Sequence, residues 1–267
     1  VKQKTGDDER SNSMAEMVKA LLNGNWTLTI PKHRADRPEW YTDEGWERQR
    51  LDAMARVIRP GDDVIDVGAE EGDMSALCAL FAGRDGRMYL VEPNPLVWPN
   101  IRAIWEANTE LAPVADYFVG FAAADTELEP AADDITAVSH VMEDGWPECA
   151  HGPVIGDHGF RVLAQQADAT PRVTLDALGW PADVITMDVE GAELEVLRGA
   201  RETLVEQRPV LFVSIHPPPL REWYGQKPSE LHEYMHSLDF SGKWLWEDHE
   251  QHWMFAHIDD PRWRLCP

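Results

Sequence analysis

The stretch Val64-Ile-Asp-Val-Gly-Ala-Glu-Glu-Gly72 constrains this chain most, because a short apolar strand runs straight into a glycine-bearing turn. Val64, Ile65 and Val67 read as a short buried strand. Gly68 lets the backbone turn and leaves room for a ligand, and Met74–Phe81 continues as an apolar helix. A strand, glycine turn and helix in that order can cradle a nucleotide-like cofactor.

The same alternation recurs downstream. Arg87–Glu92 reads as a second strand, Leu96–Asn108 as a helix, Asp116–Phe121 as a third strand, Asp183–Asp188 as a fourth, Ala192–Glu206 as a helix and Pro209–His216 as a fifth strand. This pattern predicts an α/β fold, a doubly wound parallel sheet with right-handed crossovers. Lys243–Trp246 and His252–Ile258 are too close in sequence for a parallel crossover, so they must pair antiparallel. Pro217–Pro219 predicts an extended loop, and Ser229 is the expected cap of a helix over Ser229–Leu238.

Upstream, residues 1–60 divide into a polar tail, a helix over Met14–Leu22 ending at Asn23-Gly24, a short strand Trp26–Ile30, a loop over Pro31–Pro38 and a lead-in helix over Glu44–Ile58. Residues 61–267 form the main domain, with an insertion at about 122–169 in which only Phe160–Gln165 has strand character. A chain of 267 residues suits one such domain. Its 48 acidic against 24 basic side chains give a net charge of −24, which repels a polyphosphate backbone and argues against nucleic acid as a partner. Cys78, Cys149 and Cys266 are widely spaced, without a disulfide framework or thiolate zinc pattern, and fit a reducing, cytoplasmic setting. No run approaches the ~20 apolar residues needed to span a bilayer, and the charged N-terminus does not read as a signal peptide, so no membrane partner is expected.

Ligands of open α/β sheets bind outside the carboxyl ends of the strands. The turn here reads Asp66-x-Gly68-x-x-x-Gly72, not the Gly-x-Gly-x-x-Gly of dinucleotide sites. Glu70 and Glu71 would repel a diphosphate and tolerate a ligand bearing an ammonium and a sulfonium. Glu92 closes the second strand where a carboxylate accepts hydrogen bonds from both ribose hydroxyls. An NAD-dependent oxidoreductase shares that acid, but the glycine spacing and the antiparallel ending oppose it.

Three blocks together, Val64–Gly72, Val91-Glu-Pro-Asn-Pro95 and Asp183-Val-Ile-Thr-Met-Asp-Val-Glu-Gly-Ala-Glu-Leu-Glu-Val-Leu-Arg-Gly199, resemble the FkbM family of S-adenosylmethionine-dependent methyltransferases. The resemblance runs from about Arg50 to His216 and includes Val173-Thr-Leu-Asp-Ala-Leu178. It implies a seven-stranded, Rossmann-like methyltransferase sheet and methyl transfer to a hydroxyl of a sugar, polyketide or other small metabolite. It further implies that Asp66, Gly68, Ala69 and Gly72, with Glu70 in the same turn, hold the methionine part of S-adenosylmethionine. Glu92 would take the ribose, Asn94 with Ala122, Ala123 and Ala124 would flank the adenine, and Asp188 would face the methyl group. Thr186 stands where family members often carry lysine, and Glu70 where they carry asparagine, so a lysine-based mechanism is absent at that position. Those departures also admit a non-catalytic binding module.

Asp188, Glu190 and His216 are the candidates for the base that takes the hydroxyl proton. Direct action by one of them is preferred; a divalent metal held by all three is the second reading, and helix capping is the alternative role for Glu190. His232, His236, His249 and His252 read as solvated or structural, because no acidic or cysteine partner stands at ligand spacing. Trp223-Tyr224 follows the proline run and either packs the core or stacks on an acceptor.

Overall fold

A computed structural model describes residues 16–37, 47–94, 97–126, 146 and 171–265. The polar tail, most of the 122–169 insertion with Phe160–Gln165, and both Cys149 and Cys266 lie outside the described residues. The chain opens on an antiparallel hairpin of β1 (Met17–Leu22) and β2 (Trp26–Pro31), so the helix expected over Met14–Leu22 is not formed. Asn23 and Gly24 both take positive φ, 47° and 70°, and Asn25 N–H donates to Leu22 O at 3.0 Å. Asn-Gly favours this turn over helix termination. Alternate residues Ala20, Leu22, Leu28 and Ile30 are then buried. The expected loop after Pro31 contains a single helical turn, α1 (Lys32–Ala35), and the lead-in helix is α2 (Arg48–Val57).

The main domain continues as β3 (Asp63–Val67), α3 (Asp73–Ala82), β4 (Arg87–Val91), α4 (Trp98–Ala107), β5 (Val114–Phe118) and β6 (Phe121–Ala122). After the undescribed stretch come β7 (Arg172–Val173), α5 (Leu175–Leu178), β8 (Val184–Asp188), α6 (Glu193–Arg198), α7 (Arg201–Gln207) and β9 (Val210–Ile215). The chain closes with α8 (Pro217–Tyr224), α9 (Pro228–Ser237), β10 (Phe240–Glu247), β11 (Gln251–His257) and a short 3-10 helix, Pro261–Leu265. Seven strands form one sheet in the order β10-β11-β9-β8-β3-β4-β5, with β11 antiparallel to both neighbours and the other contacts parallel. The connections reverse direction between β3 and β8, which makes their carboxyl ends the switch point.

Because strand residues alternate between faces, two apolar layers sandwich the sheet. One gathers Val64, Leu77, Ile101, Val184 and Phe212; the other gathers Ile65, Ile185, Leu194, Leu211 and Phe255. The hairpin joins the first layer and is tied to the end of α4 by Asn108, whose side chain accepts from Thr29 N–H and donates to Thr29 O, each at 2.7 Å.

Three local expectations change. The helix over Ala192–Glu206 divides at Gly199-Ala200, where a side chain on Gly199 would meet Ala123 O at 1.8 Å. The prolines at 217–219 open α8 instead of an extended loop, since the first helical turn needs no N–H partners. Ser229 lies inside α9 after Pro228, and Lys227 is the cap residue, so Ser229 does not cap. No helix among the described residues is long and apolar enough to cross a membrane.

Candidate active site

The turn after β3 is shaped by close backbone approach. Gly68 has φ +86°, and a Cβ there would lie 2.0 Å from Asp188 O, so the turn packs directly on the end of β8. Gly72, also at φ +86°, lies against Ile101. Ala69 is buried, and Asp66 lies beneath the turn, accepting from Ser75 Oγ; burial pushes its carboxyl up to about 6 against that hydrogen bond. Glu92 Oε2 accepts from Glu70 N–H at 2.8 Å and Oε1 from Asn94 N–H at 2.7 Å. Burial nevertheless pushes Glu92 up to about 8. Ala122 is buried in β6, and Ala123 N–H donates to Val173 O at 2.9 Å, which fixes that segment beside β7.

The side chain of Glu70 is engaged by the N-terminal extension. Glu70, at φ +48°, receives both terminal nitrogens of Arg34 at 2.9 Å, and Arg34 also donates to Asp73 at 2.9 and 2.8 Å. Glu71 contacts His33 Nε2 at 2.5 Å and accepts from Asn100 at 2.9 Å. The carboxylates of this turn are therefore paired by the N-terminal extension, and the expectation that they repel a diphosphate loses its force. Arg34 is fully buried, so its removal strands Asp73 without a counter-charge. Arg34→Met is expected to cost about 3–5 kcal/mol, read as a Tm drop of about 10 °C. A Tm within about 2 °C of the parent would show that the network adds no stability.

Across the turn, β8, β9 and β11 bring a charged cluster to one rim. His216, buried at the end of β9, donates from Nδ1 to Glu193 Oε1 at 2.8 Å. Its Nε2 lies 2.6 Å from Glu250 Oε2 and 3.6 Å from both Asp188 Oδ1 and Glu190 Oε2. Burial works against the imidazolium, but Glu193, Glu250 and Asp188 outweigh it and push His216 up to about 11. Asp188 keeps 36% of its side-chain surface at the mouth of the rim. Burial and then the Glu250 charge hold Asp188 well above the usual carboxylate range, and burial likewise raises Glu190. Glu190 sits in the turn itself, at φ +51°, and caps nothing: α6 has Ala192 as its cap residue.

Beneath Asp188, the buried Arg50 donates to Glu47 Oε2 at 2.6 Å and to Thr186 Oγ1 at 3.0 Å, and its Nη1 is 3.9 Å from Asp188 Oδ2. A guanidinium from α2 thus supplies positive charge beside Thr186. His252 is fully buried beside Glu47 and Glu250, and burial lowers it to about 4. The expectation that the late histidines lack acidic partners is overturned for His249 and His252, whereas His232 packs on Trp253 and Phe255. Trp223 and Tyr224 are exposed on α8.

Sequence reasoning brought Asp188, Glu190 and His216 together and missed Glu47, Arg50, Glu193 and Glu250. A signal for Glu250 existed. An antiparallel strand enters the sheet where its parallel neighbours leave it, so residues just before β11 lie at the ligand rim, as the pairing of Gln251 with Ile215 shows. Glu47 and Arg50 had no such signal, because the packing of α2 places them.

A sheet of this order, with its last strand antiparallel and a glycine turn at the switch point facing an acidic strand end, together with the family match, places the chain in the S-adenosylmethionine-dependent methyltransferase superfamily. More narrowly, residues 66–241 match the Methyltransferase FkbM domain, and the chain belongs to that family. No curated protein matches the chain. Among solved structures, the FkbM methyltransferase from Methylobacillus flagellatus KT is 17% identical with a TM-score of 0.48, over 74% of this chain and 44% of that chain. This chain thus spans less than half the length of that protein. The O-methyltransferase TomG from Streptomyces achromogenes, involved in tomaymycin synthesis and solved with S-adenosylmethionine, is 12% identical with a TM-score of 0.43, over 80% of this chain and 79% of that one. Aeropyrum pernix fibrillarin with bound S-adenosylmethionine is 13% identical with a TM-score of 0.43, over 91% and 100%. At these TM-scores the likenesses bear on neither substrate nor mechanism.

Proposed function

We propose that this chain is an O-methyltransferase acting on a hydroxyl of a sugar, polyketide or other small metabolite. The observation that carries this reading is the packing of Asp188 against the Gly68 turn, with Glu190 and His216 at the same rim. Asp66, Gly68, Ala69 and Gly72 form the methionine cradle, Glu92 takes the ribose, and Asn94, Ala122 and Ala123 flank the adenine. Glu70 contributes its backbone N–H, which positions Glu92, and not its carboxylate. Methyl transfer is an in-line displacement, so alignment of the acceptor oxygen supplies much of the rate. The oxygen pair forms the new C–O bond, the S–CH3 pair returns to sulfur, and the hydroxyl proton passes to Asp188. His216, engaged by carboxylates at both ring nitrogens, orients this group and is not the base.

Two measurements test the reading. Calorimetry should show S-adenosylhomocysteine binding without NAD binding, and labelled methyl should pass from S-adenosylmethionine to a hydroxyl in a panel of sugars and polyketides. NAD binding, or transfer only to nitrogen or carbon acceptors, overturns it.

Glu92 adds a pH dependence. A carboxyl raised in the folded state contributes stability that is full below its ordinary value and is lost as pH rises through about 8. A ribose donating to the carboxylate binds the ionised form, so S-adenosylhomocysteine affinity should rise between about pH 6 and about pH 8, by up to about tenfold per unit. Glu92→Gln should flatten that profile; a flat profile in the parent chain removes Glu92 from the ribose.

A further inference from the structure

We propose that Arg34, in the N-terminal extension, is a positioning residue for the cofactor cradle: it holds Glu70 in the left-handed conformation that aims the Glu70 N–H at Glu92. A guanidinium has more than one donor edge, and here each of two edges meets one carboxylate. Nε and Nη2 donate to Asp73 at 2.9 and 2.8 Å, and Nη1 and Nη2 donate to Glu70, both at 2.9 Å. One side chain thus grips the glycine turn at residue 70 and the first residue of α3 together.

Only one of these grips answers a need of the folded core. Asp73 keeps 2% of its side-chain surface and requires a counter-charge, whereas Glu70 keeps 57% and is open to water. An ion pair to so exposed a carboxylate adds little stability. What it fixes is the backbone. Glu70 stands at φ +48°, a region that strains glutamate and that asparagine tolerates. In that conformation its N–H donates to Glu92 Oε2 at 2.8 Å, while Asn94 N–H donates to Oε1 at 2.7 Å. The Glu92 carboxyl is therefore oriented by one N–H beyond its own strand and one from the turn that Arg34 holds.

Arg34 is itself held. The hairpin that carries α1 is tied to α4 through Asn108 and Thr29, Trp26 packs edge-on against Phe81 of α3 at 5.3 Å, and Lys32 N–H donates to Glu16 O at 2.7 Å. Two further charges stand near the pair: Arg37 Nη2 lies 3.7 Å from Glu70 Oε1, and Glu71 Oε1 lies 4.0 Å from Arg34 Nη1. The N-terminal extension acts on cofactor affinity through Arg34, Glu70 and Glu92 in turn. That effect on affinity rests on the cradle assignment made above; the conformation of Glu70 does not.

The test compares Glu70→Ala with Glu70→Asn in the full chain. Both remove the same charge and the same ion pair, and they differ in tolerance of positive φ. Both should melt within about 2 °C of the parent, as loss of an exposed pair requires. In the ligand-free chain, hydrogen exchange read by NMR should show protection of the residue 70 amide falling about 5–30-fold in Glu70→Ala and less than about threefold in Glu70→Asn. Calorimetry should show S-adenosylhomocysteine weakened by similar factors in the two variants. Arg34→Lys keeps the charge but cannot grip two carboxylates at once, so it should reproduce the exchange of Glu70→Ala. Parent-like protection in Glu70→Ala or Arg34→Lys, or equal losses in Glu70→Ala and Glu70→Asn, overturns the proposal. Loss of protection in Glu70→Ala beside a parent chain that binds no S-adenosylhomocysteine keeps the role of Arg34 in the turn and overturns the cradle assignment instead.

Discussion

Asp188→Asn is expected to lower kcat by about 10²–10⁴-fold while S-adenosylhomocysteine binds as in the parent chain. Asparagine keeps the shape of the side chain and the carbonyl that packs on the Gly68 turn, so the cradle is preserved. It removes the group to which the hydroxyl proton passes, a loss confined to the transition state, which lowers kcat rather than cofactor affinity. The substitution removes repulsion from Glu250 together with attraction from His216 and Arg50, so the opposing changes should leave the fold little altered. Single-turnover transfer of labelled methyl, measured beside calorimetry, separates the two quantities. Parent-like turnover in this variant would exclude Asp188 as the base.

The second large effect belongs to Gly68→Ala. Its Cβ would lie 2.0 Å from Asp188 O, a backbone atom that no side-chain rotation can move, and the residue would have to hold φ +86°. Overpacking and backbone strain together should cost about 2–5 kcal/mol. The turn and the end of β8 would separate, abolishing S-adenosylhomocysteine binding even where the chain still folds. Gly61 provides the control: it has φ +95° but open space around it. Gly61→Ala should therefore cost only the backbone term, about 1–2 kcal/mol, with binding intact. Equal effects in the two variants, read by Tm and calorimetry, would show that close approach at Gly68 is not what shapes the cradle.

Expectations drawn from the chain held where a local pattern had one low-energy outcome. Val64–Gly72 could only be a buried strand entering a glycine turn, and the closely spaced final strands could only pair antiparallel. They failed where two local signals competed. Met14–Leu22 has helical spacing, yet Asn23-Gly24 supports a tight hairpin turn, and burial of Ala20 and Leu22 against α4 and the sheet favoured the strand. Pro217–Pro219 forbids the interior of a helix but not its first turn, and the sequence does not say which applies.

The site divides in the same way. By itself the sequence determined the glycine turn, Glu92 and the Asp188–Glu190 and His216 strand ends, because each is fixed by its place at the end of a strand. Only the tertiary structure decided how these groups are charged and paired. Arg34 pairs the Glu70 carboxylate with the N-terminal extension, Arg50 brings positive charge beside Thr186, and Glu193 and Glu250 hold the two nitrogens of His216. Electrostatic energy depends on distances of a few ångströms and on exclusion of water. Those distances join residues as far apart in sequence as Arg50 and Thr186, and they exist only once the helices have packed onto the sheet.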